Sequence, residues 1–175
     1  QFKVEFECEF LGSVNTLINP AKLKNLVYEN PIQKNAGLDV YEAPQKDHNY
    51  LITVDVARGL GNDYSAFIVF DITNFPYKAV AKYRNNEIKP MLFPSIIDDI
   101  GKAYNKAFIL CEVNDIGDQV ASILNYDLEY DNLLMCSQRG RAGQVVGAGF
   151  SGKRSQLGVR TTQAVKKLGC SNLKT

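Results

Sequence analysis

Two acidic residues at the ends of apolar segments are the positions in this chain best suited to chemistry. Asp55 closes an apolar segment that begins at Tyr50, and Glu112 closes the segment Phe108–Cys111. A carboxylate at the end of a buried strand is costly unless it is paired or binds a cation. If the two strands are neighbours in one mixed sheet, both acids lie at one edge, where oxygen ligands favour hard divalent cations.

A third acid, Asp63, follows Asp55 across a glycine turn, from which it can bend back toward Asp55. Clustered carboxylates can hold two Mg²⁺ ions about 4 Å apart, the arrangement used for in-line attack on a phosphodiester. In the structural alternative, Asp55 caps a turn and Glu112 pairs with an arginine such as Arg58. The residue pattern by itself leaves both interpretations open.

Composition predicts one globular domain, because 45% of the 175 residues are hydrophobic and 22% are charged. No segment is apolar enough to span a membrane, and no signal peptide opens the chain. The four cysteines lack metal-binding spacing and are expected to be free thiols, which favours a reducing cytoplasm. The net charge of +1 hides an asymmetry, since residues 132–175 contain eight Lys or Arg and no Asp or Glu, whereas residues 1–131 contain twelve Lys or Arg and nineteen Asp or Glu. A basic segment joined to an acidic one suits a protein that binds a polyanion and metal ions.

The basic segment supplies candidate contacts to DNA phosphates. Glycines around these side chains allow a phosphate backbone to approach closely, and the amides of Thr161 and Thr162 can bind an anion at a helix start. Phe150 is the one aromatic residue after Tyr130, which favours contacts to duplex phosphates over base stacking. The alternative is a solvated surface loop. The candidates are Arg139, Arg141, Lys153, Arg154, Arg160, Lys166 and Lys167.

Two further features carry no predicted role. Gly147–Lys153 matches the spacing of a phosphate loop, but Arg154 stands where that motif needs Ser or Thr, so we expect no ATP site in this chain. His48, the single histidine, lies in a polar loop and is expected to be solvated.

Apolar patterning predicts the order of the core elements. They are antiparallel strands at Tyr50–Val56, Ser65–Ile72 and Lys78–Arg84, then a helix at Pro94–Lys106, a strand at Ala107–Val113, a helix at about Ile116–Asn125 and a strand at Leu133–Cys136. This is the order of the ribonuclease H-like α/β fold, in which three antiparallel strands are followed by parallel strands and the mixed sheet is flanked by helices.

The flanking segments are less regular. Their predicted elements are a strand from Phe2 to Phe10, a short helix from Pro20 to Glu29, a connecting loop at 33–49, a long loop or hairpin at 137–158, and a last helix from Thr161 or Thr162 to Leu168 with Gly169 as its stop.

Three separated segments carry a family resemblance. They are YLITVDVARGLGNDYSAFIVFDI, FILCEVNDIGDQV and GKRSQLGVRTTQAVKKLGCSNLKT, and in this order they resemble the nuclease domain of the large terminase subunit of T4-like tailed bacteriophages. The opening FECEFLGS resembles the segment that joins that family's ATPase domain to its nuclease. The resemblance implies a linker at residues 1–49 and a ribonuclease H-like nuclease domain at residues 50–175, truncated at its C-terminal end.

The resemblance also implies roles for individual residues. The family's first two catalytic acids, which bind metal, fall on Asp55 and Glu112, and its accessory acid falls on Asp63. The third catalytic acid of the family follows the terminal helix, whereas this chain has no acid after Asp131. We therefore expect that acid beyond Thr175, which puts the activity of this fragment in doubt.

The implied function is cutting of concatemeric double-stranded viral DNA during genome packaging, with two Mg²⁺ or Mn²⁺ ions as cofactors. The implied partners are DNA, an N-terminal ATPase domain, the portal and the small terminase subunit, at the procapsid in the cytoplasm of the infected host and away from any membrane. Two alternatives remain: an actin-like ATPase lobe, whose first strand also ends in an acid and a glycine hairpin, and a non-catalytic module that grips or docks on DNA.

Overall fold

A six-stranded mixed sheet is the centre of the molecule in the computed structural model, which describes residues 22, 25–137, 143–148 and 155–174. The spatial order of its strands is β1-β2-β5-β4-β3-β6. The strands are β1 (Gln33–Asn35), β2 (Leu38–Val40), β3 (Tyr50–Asp55), β4 (Ser65–Asp71), β5 (Lys78–Asn85) and β6 (Phe108–Cys111).

The strands β3, β4 and β5 form the predicted antiparallel meander, and β6 then pairs with β3 in parallel. Side chains alternate between the two faces along each strand, and those on one face, such as Ile52, Val54, Phe67 and Val69, are buried in the core. The predicted mixed α/β sheet is confirmed. The opposite face of β3 carries Thr53 and Asp55, which keep contact with solvent.

Helices cover the buried face of the sheet. They are α1 (Phe93–Ala103), α2 (Gly117–Ser122) and a π-helical turn that continues α2 over Ile123–Asp127. Helix α1 begins with Pro94 in its first turn, as predicted, and packs Phe93 and Ile97 into the core. The second helix was predicted as one regular helix to Asn125, but its α-helical part ends at Ser122.

A second, three-stranded sheet has the order β8-β7-β9. Its strands are β7 (Leu134–Ser137), β8 (Val145–Ala148) and β9 (Ser155–Leu157). This confirms a strand at 133–136 and shows strands within the segment predicted as a loop or hairpin. Bridges join the two sheets, since Leu133 pairs with Ile109, and Val159 pairs with Glu112. The last element, α3, spans Gln163–Lys174.

Several flanking predictions were wrong. The loop predicted at 33–49 contains the hairpin of β1 and β2, and its turn residues Ala36 and Gly37 have φ of 44° and 94°, as two-residue hairpin turns require. Residues 25–29, expected to be helical, contain no helix, and Gly169 does not end α3. The strand predicted from Phe2 to Phe10 lies outside the described residues, and the domain boundary before Tyr50 stays a prediction.

Candidate active site

Asp55 and Glu112 come together at one end of the main sheet. The parallel register pairs Val54 with Cys111, so the next residue on each strand is one of the two acids. The amide of Glu112 donates a hydrogen bond to the carbonyl oxygen of Val54, 2.9 Å away, which keeps the pairing to that point. Because side chains alternate along a strand, both carboxylates lie on the face opposite α1 and α2.

The pKa of Asp55 is raised, first by partial burial of its carboxyl and then by the negative charge of Glu112 and a hydrogen bond between the two side chains. The amide of Val56 and the positive charge of Lys166 act in the opposite direction but do not cancel the effect. Two carboxylates that repel each other in a partly desolvated site favour a bound cation. Each acid can supply oxygen ligands of the kind that Mg²⁺ and Mn²⁺ prefer.

Asn114 holds the side chain of Glu112 in place. Its Nδ2 donates to Oε1 of Glu112 at 2.8 Å and to the carbonyl oxygen of Thr161 at 3.2 Å. Its Oδ1 accepts a hydrogen bond from the amide of Thr161, also at 3.2 Å. Sequence reasoning missed this residue, although its position two residues after the predicted acid was the available signal.

Arg58 does not neutralise Glu112. Its Nε and Nη2 donate to the two carboxylate oxygens of Asp115 at 2.8 and 2.6 Å, in a bidentate ion pair between exposed side chains. This pair connects the loop after β3 with the loop after β6, on either side of the two acids. The alternative in which Glu112 pairs with Arg58 is therefore wrong.

Asp63 lies across the glycine turn from Asp55, and both line a cleft of about 550 Å³ together with Arg58, Tyr64 and Asp115. Within the described parts of the chain, no three or more His, Cys, Asp and Glu side chains are grouped closely enough to hold a metal ion. The structure thus assembles a pair of acids with Asp63 nearby, and the role of Asp63 as a third ligand stays a prediction.

The backbone around the pair is tightly constrained. Ser65, which is buried at the start of β4, accepts a hydrogen bond from the amide of Ala57 at 3.0 Å and donates to its carbonyl oxygen at 3.2 Å, which holds the chain just after Asp55. At the start of α2, a Cβ at Gly117 would lie 1.9 Å from the carbonyl oxygen of Glu112, so only glycine fits there.

Cys111 precedes Glu112 but is not suited to metal binding. Burial and the negative charges of Glu112 and Asp55 raise the pKa of the Cys111 thiol to about 12, so it is protonated at neutral pH. A metal ligand must be the thiolate. The donor set at this end of the sheet consists of carboxylate oxygens, which fits a hard divalent cation.

The predicted DNA-contacting residues divide into two groups. Arg160, Lys166 and Lys167 are exposed, and Lys166 is close enough to Asp55 to lower the pKa of that acid. Arg160 follows Val159, which pairs with Glu112, and Lys166 and Lys167 lie in α3. Arg139, Arg141, Lys153 and Arg154 lie outside the described residues, and the DNA role of all seven stays a prediction.

The predicted anion site at the start of α3 is not free. The amide of Thr161 donates to Asn114, and the amide of Thr162 donates to the carbonyl oxygen of Arg160 at 3.0 Å. Thr162 instead caps the helix, because its Oγ1 accepts a hydrogen bond from the amide of Val165 at 3.3 Å. The predicted helix start near Thr162 is confirmed, but these two amides already have partners within the protein.

The mixed sheet with two acids at the ends of adjacent parallel strands defines a ribonuclease H-like domain. A family model described as a terminase RNaseH-like domain matches residues 52–175, and the chain belongs to that family. The T4-like subgroup stays a prediction. None of the helices in the described ranges is long and apolar enough to cross a bilayer.

Solved structures agree with this fold. The large terminase nuclease of thermophilic phage G20c, crystallised with bound magnesium, is 18% identical to this chain with a TM-score of 0.59, and the match covers 83% of this chain and 62% of that one. Its cobalt-bound form is 20% identical, with a TM-score of 0.58 and the same coverage. The nuclease domain of the Thermus phage P74-26 large terminase is 20% identical, with a TM-score of 0.55 over 83% of this chain and 60% of that one.

Proposed function

We propose that this chain is the metal-dependent endonuclease domain of a terminase motor, which cuts concatemeric double-stranded viral DNA during packaging. The observation that supports it most directly is the side-by-side placement of Asp55 and Glu112, in which partial burial and then the charge of Glu112 raise the pKa of Asp55. The similar nuclease of phage G20c was crystallised with magnesium and with cobalt, which supports a divalent cation here.

In this proposal the carboxylates of Asp55 and Glu112 hold the cations, and Asp63 contributes from across the cleft. Two such ions, when bound, activate water and stabilise the leaving oxygen of the phosphodiester. Asn114 keeps the Glu112 side chain in one orientation, and Arg160, Lys166 and Lys167 draw the DNA backbone toward the acids. Family membership favours this function over the actin-like ATPase lobe.

The proposal extends to the whole protein. The chain spans 62% of the length of the first solved structure that it matches. For the whole protein, the proposed partners are an N-terminal ATPase domain, the portal and the small terminase subunit, in the cytoplasm of the infected host. The proposed third acid comes from a segment beyond Thr175, so cleavage is best assayed with a longer form of the protein beside the 175-residue chain.

Metal binding and cleavage test the proposal together. Calorimetric titration with Mn²⁺ should show binding by the wild-type chain and its loss in Asp55→Asn and Glu112→Gln. The longer form should nick plasmid DNA with Mg²⁺ or Mn²⁺, and the same substitutions should abolish cutting. Both variants should melt at or above the wild-type temperature, because each removes a like charge from a repelling pair.

Asp131→Asn is the matched control, since Asp131 is an exposed acid whose ion-pair partner is Lys106. It makes the same acid-to-amide change away from the pair and should leave metal binding and cutting intact. Full cleavage by either active-site variant would contradict the proposal. Salt-sensitive duplex binding without any Mn²⁺ binding would instead favour the non-catalytic DNA-gripping module.

A further inference from the structure

The face of the sheet that carries the two acids also carries an arginine in line with them. The register places Asp55 opposite Ala66, and Ala66 opposite Arg84, on three adjacent strands. Directly opposite residues project from the same side of an antiparallel pair, so Glu112, Asp55, Ala66 and Arg84 form one row across the sheet. We call these four residues the acid row.

Arg84 is exposed and its guanidinium is held by an aromatic ring. The Cζ atom lies 4.5 Å from the centroid of the Tyr64 ring, a distance typical of a cation–π contact. Tyr64 lines the same cleft as Asp55, so the ring extends from the cleft wall toward Arg84. The contact restricts the position of the guanidinium and leaves its N–H groups available.

The charge of Arg84 is not matched by an acid within the parts of the chain that the structure describes. By contrast, the two lysines of β5 and the arginine in the loop after β3 have carboxylate partners. These pairs are Arg58 with Asp115, Lys78 with Glu42, and Lys82 with Asp39. An arginine that is ordered, exposed and without a carboxylate partner beside two acids is suited to bind an anion from outside.

We propose that Arg84 binds a backbone phosphate of the duplex whose scissile phosphate lies at Asp55 and Glu112, an inference that rests on the proposed function. Two strand spacings separate Arg84 from Asp55, which is about 10 Å between the strand axes. Each DNA strand presents a phosphate about every 3.4 Å along the helix axis. Arg84 therefore contacts a phosphate a few nucleotides from the cut.

The small side chain of Ala66 leaves the sheet surface between the two acids and Arg84 open to a DNA strand. Ala66 is the only residue of the acid row between Asp55 and Arg84, and its methyl group rises little above the sheet. Within the described residues of this row, a DNA strand can therefore cross from the acids to the guanidinium over the small side chain of Ala66 alone. The planar guanidinium can donate two parallel hydrogen bonds to one phosphate, which a lysine at this position does not reproduce.

Fluorescence anisotropy with a short labelled duplex, across about 50–200 mM NaCl, tests this role without requiring cleavage. In Arg84→Gln, affinity should fall several-fold and the slope of log K against log salt should become less steep by about one. Arg84→Lys should keep the slope, because the charge stays, but bind more weakly. Tyr64→Phe keeps the ring and should bind normally, whereas Tyr64→Leu should weaken binding.

Lys78→Gln is the matched control. Lys78 lies on the same strand as Arg84, six residues away or about 20 Å, and pairs with Glu42. Equal losses in Lys78→Gln and Arg84→Gln would overturn the inference, because they would reflect net charge alone. A wild-type slope in Arg84→Gln would also overturn it and leave the proposed function standing. If the wild-type chain binds no duplex even at the lowest of these salt concentrations, that result would contradict the proposed function itself.

Discussion

Asn114 and Glu112 are joined by a hydrogen bond of 2.8 Å from the amide nitrogen of one side chain to the carboxylate of the other. The same asparagine exchanges two hydrogen bonds with the backbone of Thr161, which precedes α3. One side chain thus connects an acid at the end of β6 to the segment that carries Arg160 and Lys166. The position of the acid and the position of the basic residues are therefore coupled.

Asn114→Ala should weaken metal binding more than it weakens the fold. Without the amide donor, the Glu112 carboxylate is free to rotate, and loss of such a supporting contact typically lowers metal affinity about 10–100-fold. Calorimetric titration with Mn²⁺ measures the change. Asn132→Ala is the control, because Asn132 likewise donates through its side chain, to the carbonyl oxygen of Lys106 at 2.6 Å. Equal Mn²⁺ affinity in the two variants would show that Asn114 is merely structural.

Gly117→Ala should disturb Glu112 directly. The added Cβ would lie 1.9 Å from the Glu112 carbonyl oxygen, so the end of β6 must shift, at a cost of about 2 kcal/mol or more. Urea unfolding measures the loss in stability, and Mn²⁺ titration measures the damage to the site. Gly147→Ala is the control, since a Cβ there meets nothing within 4 Å. If Gly117→Ala has the stability of the wild type, residue 117 does not lie as close to the carbonyl oxygen of Glu112 as the structure places it.

Gly169→Ala should stabilise the protein. Gly169 lies inside α3, where a Cβ would meet nothing within 4 Å, and glycine in a helix interior costs roughly 0.5–1 kcal/mol relative to alanine. Thermal unfolding followed by circular dichroism should show a higher midpoint for the variant. An unchanged or lower midpoint would indicate that the helix ends before residue 169, as the sequence pattern had suggested.

The single histidine has a partner, contrary to the expectation of a solvated side chain. Nδ1 of His48 lies 2.6 Å from Oδ2 of Asp71, and the amide of Thr73 donates to Oδ1 at 2.9 Å. Burial acts to raise the pKa of Asp71, but the hydrogen bonds from Thr73 and His48 outweigh it and the pKa is lowered. The charged form of Asp71 therefore contributes to the stability of the fold.

Asp71→Asn should destabilise the protein by about 1–2 kcal/mol at neutral pH. Because the folded pKa of Asp71 is depressed, its contribution is fully present above the unfolded value of about 3.9 and is lost as pH falls through the lower folded value. The difference in the free energy of unfolding between Asp71→Asn and the wild type, measured by urea unfolding, should thus shrink below about pH 4. Asp47→Asn, the same change at an exposed acid in the adjoining loop, is the control and should leave the free energy of unfolding at neutral pH near the wild-type value.

The sequence was sufficient for the four strands β3 to β6 of the main sheet and for the acids that follow two of them, and the physical reason is local. Strands β3 and β4 are short, largely apolar segments in which alternate side chains are buried, and Asp55 and Glu112 end apolar segments where burial makes an unpaired charge costly. Such signals lie within a few residues of one another. The hairpin of β1 and β2 was missed because its strands have three residues each, too few for a periodic pattern.

Only the tertiary structure decided which groups meet. Arg58 pairs with Asp115 rather than Glu112, and Asn114 contacts Thr161 from 47 residues away. Arg84 joins the acid row because two antiparallel registers place Asp55, Ala66 and Arg84 side by side. Shifting either register by one residue would move Arg84 to the buried face, since side chains alternate along a strand. Local sequence therefore determined the strands and the acids at their ends, and the pairing of distant strands decided which side chains surround those acids.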